Sequence, residues 1–161
     1  MILKKFGQYS VFPSIQATHA TSDMEWADER LGAERMKGAY AYKDLLKQYG
    51  MVANGSDFPV ENINPLLGFY AAVARKDING KPAAGFQKEN ALTRTEALRA
   101  MTIWAAYAAF EETEKGSLEP GKFADFVILD KDIMKVPENE LPTVKVLQTV
   151  TGGWAIYKAN N

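Results

Sequence analysis

Short apolar runs bounded by prolines and glycines alternate with helical patterns over the first two thirds of the chain; the last third turns to strand-like alternation. Val11 to Thr18 reads as a strand with His19 at its carboxyl end. A polar loop follows, in which Ser22 and Glu25 have the spacing of a capping box. From Ala33 to Gln48 the apolar positions Met36, Tyr40, Leu45 and Leu46 gather on one helical face, and Gly50 suits the left-handed position after a helix end. Val52 to Ser56 is then a short buried strand that delivers Asp57 to its carboxyl end, where Pro59 stops the pairing. Strand, helix and strand in this order make a βαβ unit, with parallel strands and a right-handed crossover. Ahead of it, Met1 to Gly7 predicts a short helical stub ended by Gly7.

Beyond Asp57 comes a long loop containing Pro59, Pro65 and Pro82, with Phe69 and Tyr70 in a short helix. Thr93-Arg94-Thr95-Glu96 is a capping box before an alanine- and leucine-rich helix running to Phe110. The character changes at Gly116. Pro120-Gly121 marks a turn, Ala124 to Asp130 is rich in β-formers, and Val144–Val150 and Trp154–Lys158 flank a hairpin turn at Gly152-Gly153. The boundary therefore falls near Lys115, with an α/β part over residues 1–115 and a small β module over 116–161.

Composition narrows the chemistry. Apolar residues make up 47% and charged residues 24% of 161, so a packed core is expected. The net charge of −1 and the absence of a basic stripe argue against nucleic acid. No apolar run is long enough to cross a bilayer, and the N-terminus lacks the features of a secretion signal, so a soluble, cytoplasmic protein is expected. With no cysteine, thiol catalysis, disulfides and sulfur-ligated zinc are excluded; one histidine cannot define a metal site by itself.

Asp57 is the strongest candidate for chemistry, because catalytic acids of (β/α) barrels stand where strands end and loops begin. The plainer reading is an aspartate that caps the loop after its strand. His19 would stand at the same face, as a group that polarises a substrate carbonyl or holds a leaving group, or as a loop histidine bonded to backbone. Phe58, next to Asp57, is the aromatic assigned to a substrate pocket; Trp26, Phe69 and Tyr70 read as core or loop anchors, and Trp104 and Tyr107 as packing residues. Glu61 and Asp23 could bind cations, but loop carboxylates are usually solvated. Gly121 and Asp125 belong to a turn.

Several segments carry a resemblance in one order along nearly the whole chain: Ser14 to Asp23, Trp26 to Gly32, Gly55-Ser56-Asp57-Phe58-Pro59-Val60-Glu61, and Gly116 to Asp125. They resemble the amidohydrolase superfamily, in the amidohydrolase-3 branch that includes N-substituted formamide deformylases. The resemblance implies a metal-dependent hydrolase of C–N bonds in amides, formamides or cyclic amides, acting on a small molecule. Its fold would be a (β/α)8 TIM barrel with a small β-sandwich. The strands at Ser14–Thr18 and Val52–Ser56 would be the seventh and eighth, and Asp57 the eighth-strand aspartate that binds metal, zinc above all, and takes a proton from the attacking water.

The family's paired histidines and other ligands have no counterpart here, and a whole barrel needs about 250 residues. The expectation is therefore the C-terminal part of such an enzyme: α/β, strands seven and eight with their helices, plus part of the sandwich. Alone it should hold no metal stably and be inactive. Uncovered strand edges would then drive self-association. The competing reading is a self-sufficient, non-catalytic α/β binding or regulatory module.

Overall fold

The computed structural model describes residues 3–160, and two parallel strands stand at its centre, β1 (Ser14–Ile15) and β2 (Ala53–Asn54). Ser14 pairs with Ala53 and Ile15 with Asn54, and the ladder extends through Ala53 N–H to Pro13 O and Gly55 N–H to Ile15 O. Both strands are shorter than the sequence predicts. Pro13 has no N–H to contribute before β1, and beyond Ile15 a side chain replaces the partner strand: Asn54 Oδ1 accepts Ala17 N–H at 2.9 Å. That bond holds the segment leading to His19 against β2. His19 itself opens a helical turn, α1 (His19–Ser22), rather than ending a strand.

Between β1 and β2 the chain forms α1, α2 (Ala27–Leu31), α3 (Ala33–Met36) and α4 (Tyr42–Tyr49), so the parallel βαβ order holds. The single helix expected over 33–48 is broken at Gly38 to Ala41, where Tyr40 takes a left-handed φ of 53°. The Tyr40 hydroxyl donates to Asp23 Oδ2 at 2.8 Å, and its ring meets Phe86 edge-on, so tertiary contacts outweigh helical periodicity here. Gly50 closes α4 as predicted, with φ 92°. The Ser22–Glu25 capping box does not form: the N-cap of α2 is Trp26, and Ser22 bonds elsewhere. Nor does Gly7 stop the first helix, which spans Lys4–Gln8; a Cβ on Gly7 would collide with the Gln48 carbonyl, so the glycine serves close approach. Met1 and Ile2, the start of the expected stub, lie outside the described residues.

After β2, Asn64 caps α5 (Pro65–Ala74) by accepting Leu66 N–H, with Pro65 at the first helical position. Pro65 therefore starts a helix instead of lying in a loop. Eight of its ten residues are buried, as expected of a helix apolar all round and covered on every side. It ends at Arg75, which is 0% exposed and left-handed at φ 58°.

The Thr93–Glu96 capping box forms in full, with Glu96 N–H on Thr93 Oγ1 at 3.2 Å and Thr93 N–H on Glu96 Oε2 at 2.8 Å. The helix it starts is divided into α6 (Arg94–Ala100) and α7 (Ile103–Ala108), because the Thr102 hydroxyl donates back to Leu98 O and the backbone turns there. Glu96 also takes an ion pair from Lys43 of α4. Burial alone would raise the Glu96 carboxyl, yet the bonds from Lys43 and Thr93 outweigh it and hold the group below its ordinary value. A depressed folded-state pKa adds stability at neutral pH that is lost as pH falls through it. Glu96→Gln keeps the cap but not the ion pair. Urea melts should therefore show a stability loss of at most about 1 kcal/mol near neutrality and a shallower decline toward acid pH than the parent chain.

The C-terminal region is a three-stranded antiparallel sheet of β3 (Phe126–Leu129), β4 (Val146–Thr151) and β5 (Trp154–Lys158), with β4 central. Gly152 and Gly153 both have positive φ, as a two-residue hairpin of the predicted kind requires. Every residue of β5 is exposed, Trp154 by 80% and Ile156 by 67%. The accessible surface of 9889 Å² exceeds by roughly 1,900 Å² the ~8,000 Å² of a compact monomer of 17.8 kDa. Among the described residues no barrel closes: β1 and β2 each keep one unpaired edge.

Candidate functional site

The two loops that leave the parallel strands bring three titratable side chains together. The turn of α1 places His19 and Ser22, three residues apart, on one side. After β2 the chain reverses in a tight turn, with Val60 N–H and Glu61 N–H both donated to the Asp57 carbonyl at 2.8 and 3.3 Å. Asp57 adopts φ 59°, a left-handed conformation that aspartate tolerates better than most residues. Asp57 and Glu61 thus stand at opposite ends of one turn, and the His19 ring lies between them. Nε2 is 3.1 Å from Asp57 Oδ2, and Nδ1 is 3.0 Å from Glu61 Oε1. The Ser22 hydroxyl donates to the same Glu61 oxygen at 2.5 Å.

Burial divides the two carboxylates. The Asp57 side chain is 50% exposed and that of Glu61 16%, with His19 at 22%. Asp57 Oδ1 takes no hydrogen bond among the described residues. Beside the ring, an open cleft of about 700 Å³ is lined by Gln16, Asp23, Tyr40, Tyr42 and Leu45. Burial, followed by the bond to Asp23 and its charge, pushes the Tyr40 hydroxyl up to about 12, so it remains a donor at neutral pH. Phe58 is 59% exposed next to Asp57, and Trp26 is 48% exposed rather than anchored. Phe69 and Tyr70 are core residues of α5, and Trp104 packs against the core.

Glu61 departs from its plain reading as a solvated loop carboxylate: it is the more shielded partner of His19. The spacing Asp57-x-x-x-Glu61 was the signal, since one turn brings its two ends together. Asn54 left no such trace, because its role depends on register. His19, Asp57 and Glu61 satisfy one another instead of converging on a common point, and no metal-binding group of three or more His, Asp or Glu occurs among the described residues. The residues present do not by themselves fit a metal centre. No helix among them is long and apolar enough to cross a membrane.

A sequence model described as the amidohydrolase family matches residues 3–157. The Arabidopsis thaliana protein LONG AFTER FAR-RED 3 is 38% identical over 154 residues, 95% of this chain and 26% of that protein. N-substituted formamide deformylase of Arthrobacter pascens is 36% identical over 119 residues, 74% of this chain and 21% of the enzyme. Among solved structures, an uncharacterized metal-dependent hydrolase from Pyrococcus horikoshii OT3 superposes with a TM-score of 0.73 at 35% identity, over 84% of this chain and 27% of that one. The chain spans less than a third of the length of the curated relatives it matches.

Proposed function

The chain belongs to the amidohydrolase family, and we propose that it forms the C-terminal part of a metal-dependent hydrolase of C–N bonds. On this reading β1 and β2 are the seventh and eighth strands of a (β/α)8 barrel of which residues 1–115 form only a part, and the sheet of β3 to β5 belongs to a partial β-sandwich module over 116–161. The observation that carries it is the meeting of His19, Asp57 and Glu61 beyond the carboxyl ends of two parallel strands, where barrel enzymes build their sites. Asp57 is the carboxylate this chain contributes to a divalent metal site, zinc for preference, and the group that accepts a proton during hydrolysis. Phe58 and His19 stand on the substrate side of it. A polar contact from His19 to a substrate would have to displace Asp57 or Glu61, since both ring nitrogens are engaged. The substrate class is an amide, formamide or cyclic amide, in line with the formamide deformylase among the relatives.

The test is a comparison of activities. The isolated chain should not hydrolyse formamides or cyclic amides with zinc, manganese or iron added, whereas a longer enzyme carrying this segment should. Turnover by the isolated chain would refute the reading. Association is a second expectation, because β5 exposes Trp154 and Ile156 and the parallel pair keeps unpaired edges. Light scattering should find a dimer or larger species, and replacing Trp154 and Ile156 by Glu should shift it toward monomer. A monodisperse parent monomer at low concentration would contradict this.

A further inference from the structure

We propose that the open cleft beside His19 receives the amine side of the scissile C–N bond, with Asp23 as the specificity-determining residue that accepts its N–H groups. The cleft of about 700 Å³ has aromatic lining from Tyr40 and Tyr42 and aliphatic lining from Ile15 and Leu45. Its acidic groups are Asp23 and Glu61, and no lysine or arginine lines it. Arg75, whose guanidinium packs on the Tyr42 ring, is fully buried and lies outside the lining. Glu61 is already engaged by His19 and Ser22. Asp23 keeps a vacant acceptor: Oδ2 takes the Tyr40 hydroxyl at 2.8 Å, while Oδ1 takes no hydrogen bond among the described residues. A carboxylate beside aromatic rings, with no basic side chain in the same cleft, favours a cationic N–H donor and repels an anion.

The wall of this cleft is fixed in advance. Tyr40 holds a left-handed φ of 53°, a conformation that bulky residues rarely adopt. Its bond to Asp23 and its edge-on contacts with Tyr42 and Phe86 keep it there. Gln87, beside Phe86, accepts Arg75 Nη2 and donates Nε2 to Met36 O at 3.0 Å, so the loop that supports Tyr40 is tied on two sides. Backbone strain that the surroundings over-determine is a feature of ligand clamps. The placement deepens the proposed hydrolysis of an amide and rests on it. One water breaks the C–N bond: the acyl carbon keeps the water oxygen as a carboxylate, and the nitrogen leaves with both water protons as an ammonium. The amine side thereby gains N–H groups and positive charge, which is the chemistry that Asp23 offers to hold.

Three probes with the same carbon chain test it: n-butylammonium, n-butanol and n-butyrate, titrated into the isolated chain at neutral pH and constant ionic strength. Backbone ¹H–¹⁵N signals of Asp23, Tyr40 and Leu45 should move along a saturating curve with n-butylammonium, with a Kd of about 1–10 mM for so small a ligand. Butanol should bind about fivefold more weakly, and butyrate should leave these signals in place. Asp23→Asn, which keeps an acceptor for the Tyr40 hydroxyl, should bring n-butylammonium down to the level of butanol. Equal binding of the three probes, shifts that map away from the cleft, or an Asp23→Asn chain that keeps the preference overturns the proposal. If that variant loses its native spectrum, tetramethylammonium on the parent chain decides. It carries the charge without an N–H, so it should bind more weakly than n-butylammonium, and equal binding refutes Asp23 as an N–H acceptor. Failure of the hydrolase reading is distinguishable: it would show as full turnover in the longer enzyme with Asp57 replaced by Asn, whatever the probes do.

Discussion

Asp57→Asn in a longer enzyme carrying this segment is expected to lower kcat by about 10³-fold or more, the scale of a lost general base at its upper range. The substitution is chosen for what it preserves. Asparagine tolerates the left-handed conformation that Asp57 holds at φ 59° as well as aspartate does, so the turn to Glu61 should survive. Its side-chain amide, donor or acceptor according to its orientation, can still pair with His19 Nε2. Half the side chain is exposed, so no cavity or buried charge is created. What disappears is the negative charge and the ability to take a proton. A parallel measurement on the isolated chain should find urea stability changed by no more than about 0.5 kcal/mol, as for other exposed positions. Unchanged turnover would remove Asp57 from the mechanism.

The parts of this fold legible in sequence are those decided locally. The Thr93–Glu96 box, the Gly50 helix end and the Gly152-Gly153 hairpin each need only a few neighbouring residues, and each forms as the pattern says. Helix continuity was not legible at Tyr40 or Thr102, because what breaks it there is a side-chain bond, to distant Asp23 in one case and back to Leu98 in the other. Strand length at β1 and β2 was over-read for a similar reason: Asn54 supplies with its side chain the acceptor that a longer strand would have supplied with backbone. At the site, Asp57 and His19 stood out by their place after strands. Glu61 did not, since the difference between a solvated and a shielded carboxylate depends on a ring forty-two residues away in sequence.

Arg75 carries the largest expected effect on stability. It ends α5 and is fully buried, with Nε donated to Phe86 O at 2.9 Å, Nη2 to Gln87 Oε1 at 3.2 Å, and the guanidinium 5.0 Å from the Tyr42 ring centre and 5.8 Å from that of Phe86. Burial pulls its pKa below the ordinary value, opposed by Tyr42 and by the charge of Glu89. Nη1 has no partner among the described residues, so the direct contacts of the guanidinium are two carbonyl oxygens and two ring faces. Arg75→Ala removes all of this at once: it opens a cavity between Tyr42 and Phe86 and leaves two half-buried acceptors unpaired. The cost should be about 4 kcal/mol, a large share of the roughly 5–15 kcal/mol of a typical domain. Arg75→Met separates the causes. It refills most of the volume and relieves the desolvated charge, while the two acceptors stay unpaired, so it should cost about half as much. Urea titrations of the three proteins read the difference. If methionine costs as much as alanine, the hydrogen bonds carry the site; if it costs nothing, packing around the two rings does.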